Sequence, residues 1–136
     1  NSKLFMNVRE KLSLCYYASS SYARSKNIIT VSSGVETGDR DRALEEIDRQ
    51  LKAVQRGDWE DWEQEGALQA IRSSLLSLSD SQGALENFYL GQIASGVHET
   101  PEELAVELER VTKERIVAAA QTVHLDTVYF LGGREA

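Results

Sequence analysis

A change of apolar period near residue 38 constrains this chain more than any other feature. Upstream of it the composition is that of strands. The run Cys15 to Arg24 is rich in Tyr and Ser, and Asn27 to Val35 carries Ile28, Ile29, Thr30, Val31 and Val35. Ser25, Lys26 and Asn27 supply a turn between the two runs. Residues 15–24 and 27–35 are therefore predicted to pair as an antiparallel hairpin, with Tyr16, Ala18, Ser20 and Tyr22 on one face. Downstream the spacing becomes helical. Leu44, Ile47, Leu51 and Val54 follow a 3-4-3 rhythm, which a helix turns into one apolar stripe.

The helical region is punctuated. Gly57 is placed to end the first helix, and Asp58 to cap a second that carries Leu68, Ile71, Leu75 and Leu78. Asp80 or Ser81 restarts a third helix through Leu85, Phe88, Tyr89 and Ile93, which Gly96 ends. Thr100, Pro101 and Glu103 form the strongest local signal: an N-cap, a proline at the first helical position and a capping box. That helix is predicted to run to about Ala120, with Leu104, Leu108 and Val111 inward. Residues 39–120 should thus be mainly helical. Val123 to Leu131 reads as a final strand, stopped by Gly132 and Gly133. At the other end, Leu4, Val8 and Leu12 with Phe5 predict a short helix from Lys3 to Ser13, capped by Ser2.

Helix, two strands, four helices and one strand make no regular strand–helix alternation. The predicted class is α+β: a mostly antiparallel sheet with several helices packed on one face. Three strands are few for so much helix. The expectation is a single domain over residues 1–136, truncated on its N-terminal side.

Composition narrows the function. The net charge of −7, with 15 basic residues scattered among 22 acids, lacks the clustered Lys and Arg of a nucleic-acid surface. No apolar run approaches the roughly 18 residues of a membrane span. A single cysteine, Cys15, allows no disulfide within the chain and fits a reducing, cytoplasmic setting. Cys15 lies among apolar neighbours and reads as a packing residue. His98 and His124 belong to neither HExxH nor HxxEH, so no metal site is expected in this chain. There is no GxSxG elbow, Walker A loop or GxGxxG. Trp59 and Trp62, three apart among acids, read as a helix start with inward tryptophans or as a contact for a partner domain. Arg9 and Tyr16 stand out for another reason. A guanidinium fork on a helix and a phenol at the start of a strand can converge, and both are good donors to a peptide carbonyl or a developing oxyanion.

The segment that carries this pair, "SKLFMNVREKLSLCYYASSSYA", resembles the hallmark of the second-half domains of the insulinase, pitrilysin and mitochondrial-processing-peptidase family of zinc peptidases. There a helix of the form L…LREK precedes L-x-Y-x-x-x-S on a strand. The later stretch "TPEELAVELERVTKERIVAAAQTVHLDTVYFLGG" is similar too, so the resemblance covers nearly the whole chain. Its wording is nearest the Gram-positive bacterial branch named for association with elongation factor P modification. The resemblance implies an incomplete insulinase-type (metallohydrolase-like) domain without a zinc site or other cofactor of its own. Zinc, bound by HxxEH and a distal Glu, is then expected in a partner domain or subunit of the same family. By the same resemblance, Arg9 and Tyr16 are the residues that contact a peptide or protein substrate and help stabilise the tetrahedral intermediate. Cys15 replaces the family's common small residue before that Tyr and leaves the pair intact. Three roles follow as expectations. The first is a substrate-binding, catalysis-assisting domain of a zinc peptidase assembly, inactive alone. The second is a structural or partner-binding domain that has lost proteolysis. The third is an unrelated helical interaction module.

Overall fold

The computed structural model describes residues 3, 4, 6, 7 and 15–132. The hairpin forms as expected. Strand β1 (Tyr17–Ala23) pairs antiparallel with β2 (Ile28–Gly34), in a register that sets Tyr17 opposite Gly34 and Ala23 opposite Ile28. The turn is a single 3-10 stretch, Arg24–Lys26, closed by Asn27 in the left-handed region at φ 53°. Asn tolerates that conformation, and the Tyr22 hydroxyl donates to Asn27 Oδ1 at 2.9 Å, which holds it there.

Five helices follow: α1 (Arg40–Gln55), α2 (Asp61–Leu76), α3 (Gln82–Ala94), α4 (Pro101–Glu107) and α5 (Lys113–Gln121). With the hairpin they make an α+β fold. Gly57 and Gly96 both take positive φ just past a helix end, where a side chain would be strained. Ser81 caps α3, and Thr100 with Glu103 forms the expected capping box on α4. The cap of α2 is Glu60 rather than Asp58. Its backbone N–H donates to Glu63 Oε2 at 3.0 Å, and that carboxylate is also paired with Lys3 at 3.1 Å.

Two expectations fail, each for a physical reason. The helix predicted from Thr100 to about Ala120 is two helices. Val111 is extended, its carbonyl accepts from Gln64 Nε2 at 3.3 Å, and Thr112 caps α5 by accepting from Arg115 N at 3.4 Å. A threonine that can cap competes with helix continuation. The strand predicted for Val123 to Leu131 has no regular secondary structure. A strand needs a ladder partner, and among the described residues the sheet has two strands, paired only with each other. The segment is held instead through side chains. Gln55 Nε2 donates to the carbonyls of Ala120 and Val123 at 3.1 and 2.9 Å, and the Arg40 guanidinium lies 5.5 Å over the Phe130 ring.

The core beneath the hairpin is small. Ala18 of β1 and Ala43 of α1 are buried together, with Leu4, Cys15, Val35 and Ile47 packed around them. Cys15 is the packing residue its neighbours suggested. Of the opening helix, Lys3, Leu4, Met6 and Asn7 are helical, and the rest of that expectation lies outside the described residues. The buried arc of α1 is turned slightly from its leucines. Ala43, Glu46 and Ala53 are buried, while Leu44, Ile47, Leu51 and Val54 are half-buried. The helix packs against the hairpin, the opening segment and α5, so no single stripe faces inward. Glu46 stays buried because it accepts from Gln50 Nε2 at 2.6 Å and from Arg49 Nε at 2.8 Å, while Gln50 Oε1 accepts from Asn7 at 2.9 Å.

Two stability measurements check this packing. Ala43→Leu forces extra carbons into the alanine contact and should cost about 1–3 kcal/mol in urea unfolding of the full-length protein. Thr100→Ala should cost about 1 kcal/mol, with Thr100→Ser close to wild type, because only the first removes the cap acceptor.

Candidate functional site

Tyr16 sits where the chain enters β1. Its backbone N–H donates to the Gly34 carbonyl at 2.8 Å, which extends the ladder by one bond. The chain bends at this residue. The bend is required because Cys15 and Ala18 both point into the core, three residues apart, which strict strand alternation does not allow. Tyr16 is thus turned outward, 70 % exposed, instead of sharing the buried face of Ala18 as an ideal strand would have it. Ser20 and Tyr22 are exposed as well. Across the ladder, Gly34 makes room for an aromatic ring. A Cβ there would lie 2.6 Å from Tyr17 Cε1.

The Tyr16 hydroxyl does not point into empty solvent. It donates a hydrogen bond to Glu36 Oε1. Glu36 follows Val35, which is anchored in the same small core, so the two core residues Cys15 and Val35 bring their outward neighbours together. The bond to the carboxylate raises the tyrosine pKa above its ordinary value, and the negative charge of Glu36 adds to it, because removing the proton would set two anions side by side. Tyr16 therefore remains a protonated donor at neutral pH. Glu36 was not singled out by the sequence. Twenty residues separate it from Tyr16, and only the hairpin register joins them. A carboxylate just beyond the strand facing a candidate donor is the signal that would have found it. Arg9 lies outside the described residues.

Other candidates have structural roles or remain apart. His98 is exposed, and His124, also exposed, pairs its Nδ1 with the Thr122 carbonyl at 3.1 Å. Among the described residues no three His, Cys, Asp or Glu side chains gather in a way that could hold a metal ion. The two tryptophans do not share a helix face. Trp59 precedes α2, with Lys113 Nζ 4.7 Å over its ring and hydrogen-bonded to its carbonyl at 3.0 Å, whereas Trp62 is 64 % exposed on α2. No described helix is long and apolar enough to cross a membrane.

Comparison with known proteins identifies the class. Residues 1–71 match the family model described as the peptidase M16 inactive domain. Over 135 residues the chain is 38 % identical to a Bacillus subtilis (strain 168) protein named "Probable inactive metalloprotease YmfF", covering 99 % of this chain and 32 % of that protein. It also matches the crystal structure of a conserved protein from Enterococcus faecalis V583 with a TM-score of 0.78 at 34 % identity, over 88 % of this chain and 28 % of that one. The chain belongs to the peptidase M16 inactive-domain family. It spans about a third of the length of its curated relative. The unrelated helical module is thereby set aside.

The Tyr16–Glu36 contact has a pH signature. With its folded pKa raised, the tyrosine adds stability that is fully present below the unfolded tyrosine value of about 10 and is lost as pH rises through the folded value. In urea titrations of the full-length protein, wild type should lose more stability between neutral and strongly alkaline pH than Tyr16→Phe does.

Proposed function

We propose that this chain is the substrate-facing domain of an M16-type zinc peptidase assembly, one that holds peptide and assists catalysis while zinc is supplied by another domain or subunit. The observation that carries this reading is the outward, protonated phenol of Tyr16 at the position matching the family's substrate-contacting tyrosine. Its hydroxyl can donate to a peptide carbonyl and, more strongly, to the oxyanion that develops as that carbonyl is attacked. Arg9, by the same family match, is the second donor, and its planar fork suits an oxygen that gains negative charge. Neither group activates water. Their part is to orient the carbonyl and to stabilise charge in the transition state.

The surface supports a partner. Apolar side chains are exposed on the helices: Trp62, Ile71 and Leu76 on α2, and Leu90 and Ile93 on α3. Exposed apolar groups of this kind suit packing against another domain. A family domain carrying HxxEH is the partner this reading assigns to them.

A second reading, a domain that binds peptide or partner without proteolysis, is favoured by the word "inactive" in the names of the matching family and of the Bacillus subtilis relative. Tyr16→Phe separates the two, since it removes the hydroxyl and keeps the ring. In the full-length protein assembled with its zinc-bearing partner, peptide cleavage should fall by about 10²–10³ with little change in peptide affinity. Arg9→Ala should act in the same direction. Absence of cleavage by the zinc-loaded wild-type assembly, with peptide still bound, would favour the second reading. Wild-type turnover in both variants would remove the pair from catalysis.

A further inference from the structure

We propose that Glu36 is a specificity-determining residue of the Tyr16 site: its carboxylate holds the phenol hydroxyl until a peptide bearing a cationic side chain takes the carboxylate and frees the hydroxyl for the peptide's own carbonyl. This rests on the reading of Tyr16 as a donor to substrate.

The argument is one of competing acceptors. A phenol has a single proton to donate, and here it goes to Glu36 Oε1. An ionised carboxylate is a stronger acceptor than a peptide carbonyl, so a neutral peptide must displace the better partner to gain the weaker bond. A peptide with a Lys, an Arg or a free amino terminus near the bound carbonyl avoids that loss. Its cation replaces the phenol at the carboxylate, and both groups remain satisfied.

The surroundings of Glu36 leave it open to such an exchange. It is exposed, and among the described residues no ion pair involves it. The nearest basic side chains along the chain are engaged elsewhere. Arg40 pairs with Asp41 at 2.6 Å and covers the Phe130 ring, and Arg42 pairs with Asp39 at 2.7 Å. The carboxylate therefore has the phenol as its one described side-chain partner, and that partner is neutral. The raised tyrosine pKa agrees with a bond strong enough for a substrate to have to displace it.

The test uses the full-length protein and two fluorescein-labelled unstructured peptides, one with lysine at alternate positions and a twin with glutamine in their place. Wild type should prefer the lysine peptide. Glu36→Gln should reduce that preference by about three- to fivefold, the range of an exposed ion pair, and should bind the glutamine peptide at least as well as wild type does. Glu109→Gln, an exposed acid on another part of the surface, should leave the preference intact and so corrects for general attraction to an acidic protein. A carbon-13 NMR titration of the tyrosine rings, with Tyr16 assigned by its loss in Tyr16→Phe, should show Tyr16 ionising at lower pH in Glu36→Gln. An unchanged peptide preference or an unchanged Tyr16 titration in Glu36→Gln overturns the proposal. If Tyr16→Phe lowers cleavage by the zinc-bearing assembly while Glu36→Gln alters the binding of neither peptide, only the role of Glu36 falls. If Tyr16→Phe also leaves peptide cleavage by the zinc-bearing assembly at the wild-type rate, the donor role of Tyr16 falls and the exchange with it.

Discussion

The contact between Ala18 and Ala43 is the constraint on which the rest of this arrangement depends. Two methyl groups let the hairpin and α1 approach closely, and the apolar residues at the ends of the hairpin close around them: Cys15 before β1, Val35 after β2, with Ile47 from the helix. Larger side chains here would push the strand pair off the helix. Because Cys15 and Ala18 must both point inward, the chain bends at Tyr16, and because Val35 points inward, Glu36 turns out. The phenol–carboxylate pair follows from which of its neighbours are buried.

That pair gives the surface a definite chemistry. A tyrosine 70 % exposed in water would ordinarily leave its hydroxyl to solvent. Here the hydroxyl has a fixed charged acceptor, which orients the ring and protects its proton to higher pH. The helices contribute differently. Their caps fix where they start, and several of their apolar residues face outward.

The helix ends were legible because their signals are local. Thr100, Pro101 and Glu103, or Ser81 before α3, act within one turn and need nothing distant. Thr112 is also a local signal, and reading a continuous helix across it gave too much weight to apolar spacing and too little to the cap. The final strand failed for the opposite reason. Val123 to Leu131 has strand composition, but strand structure depends on a neighbour's backbone, and composition says nothing of whether one is in reach. Buried Glu46 was equally out of sight. A carboxylate in a helix reads as a solvated face until Gln50 and Arg49 are seen to satisfy it.

By itself the sequence determined the α+β class, the hairpin and its register-setting turn, four of the helix boundaries and the family, because periodicity, turn chemistry and the run from Lys3 to Ala23 are written in adjacent residues. It also singled out Tyr16. The tertiary structure decided what surrounds that tyrosine. It turned Tyr16 outward through a bend imposed by two inward-packed residues, Cys15 and Ala18, and it brought Glu36 to the hydroxyl from twenty residues away. It also left apolar faces of α2 and α3 uncovered. Those outcomes depend on packing between segments distant in sequence, where no single stretch of residues carries the information.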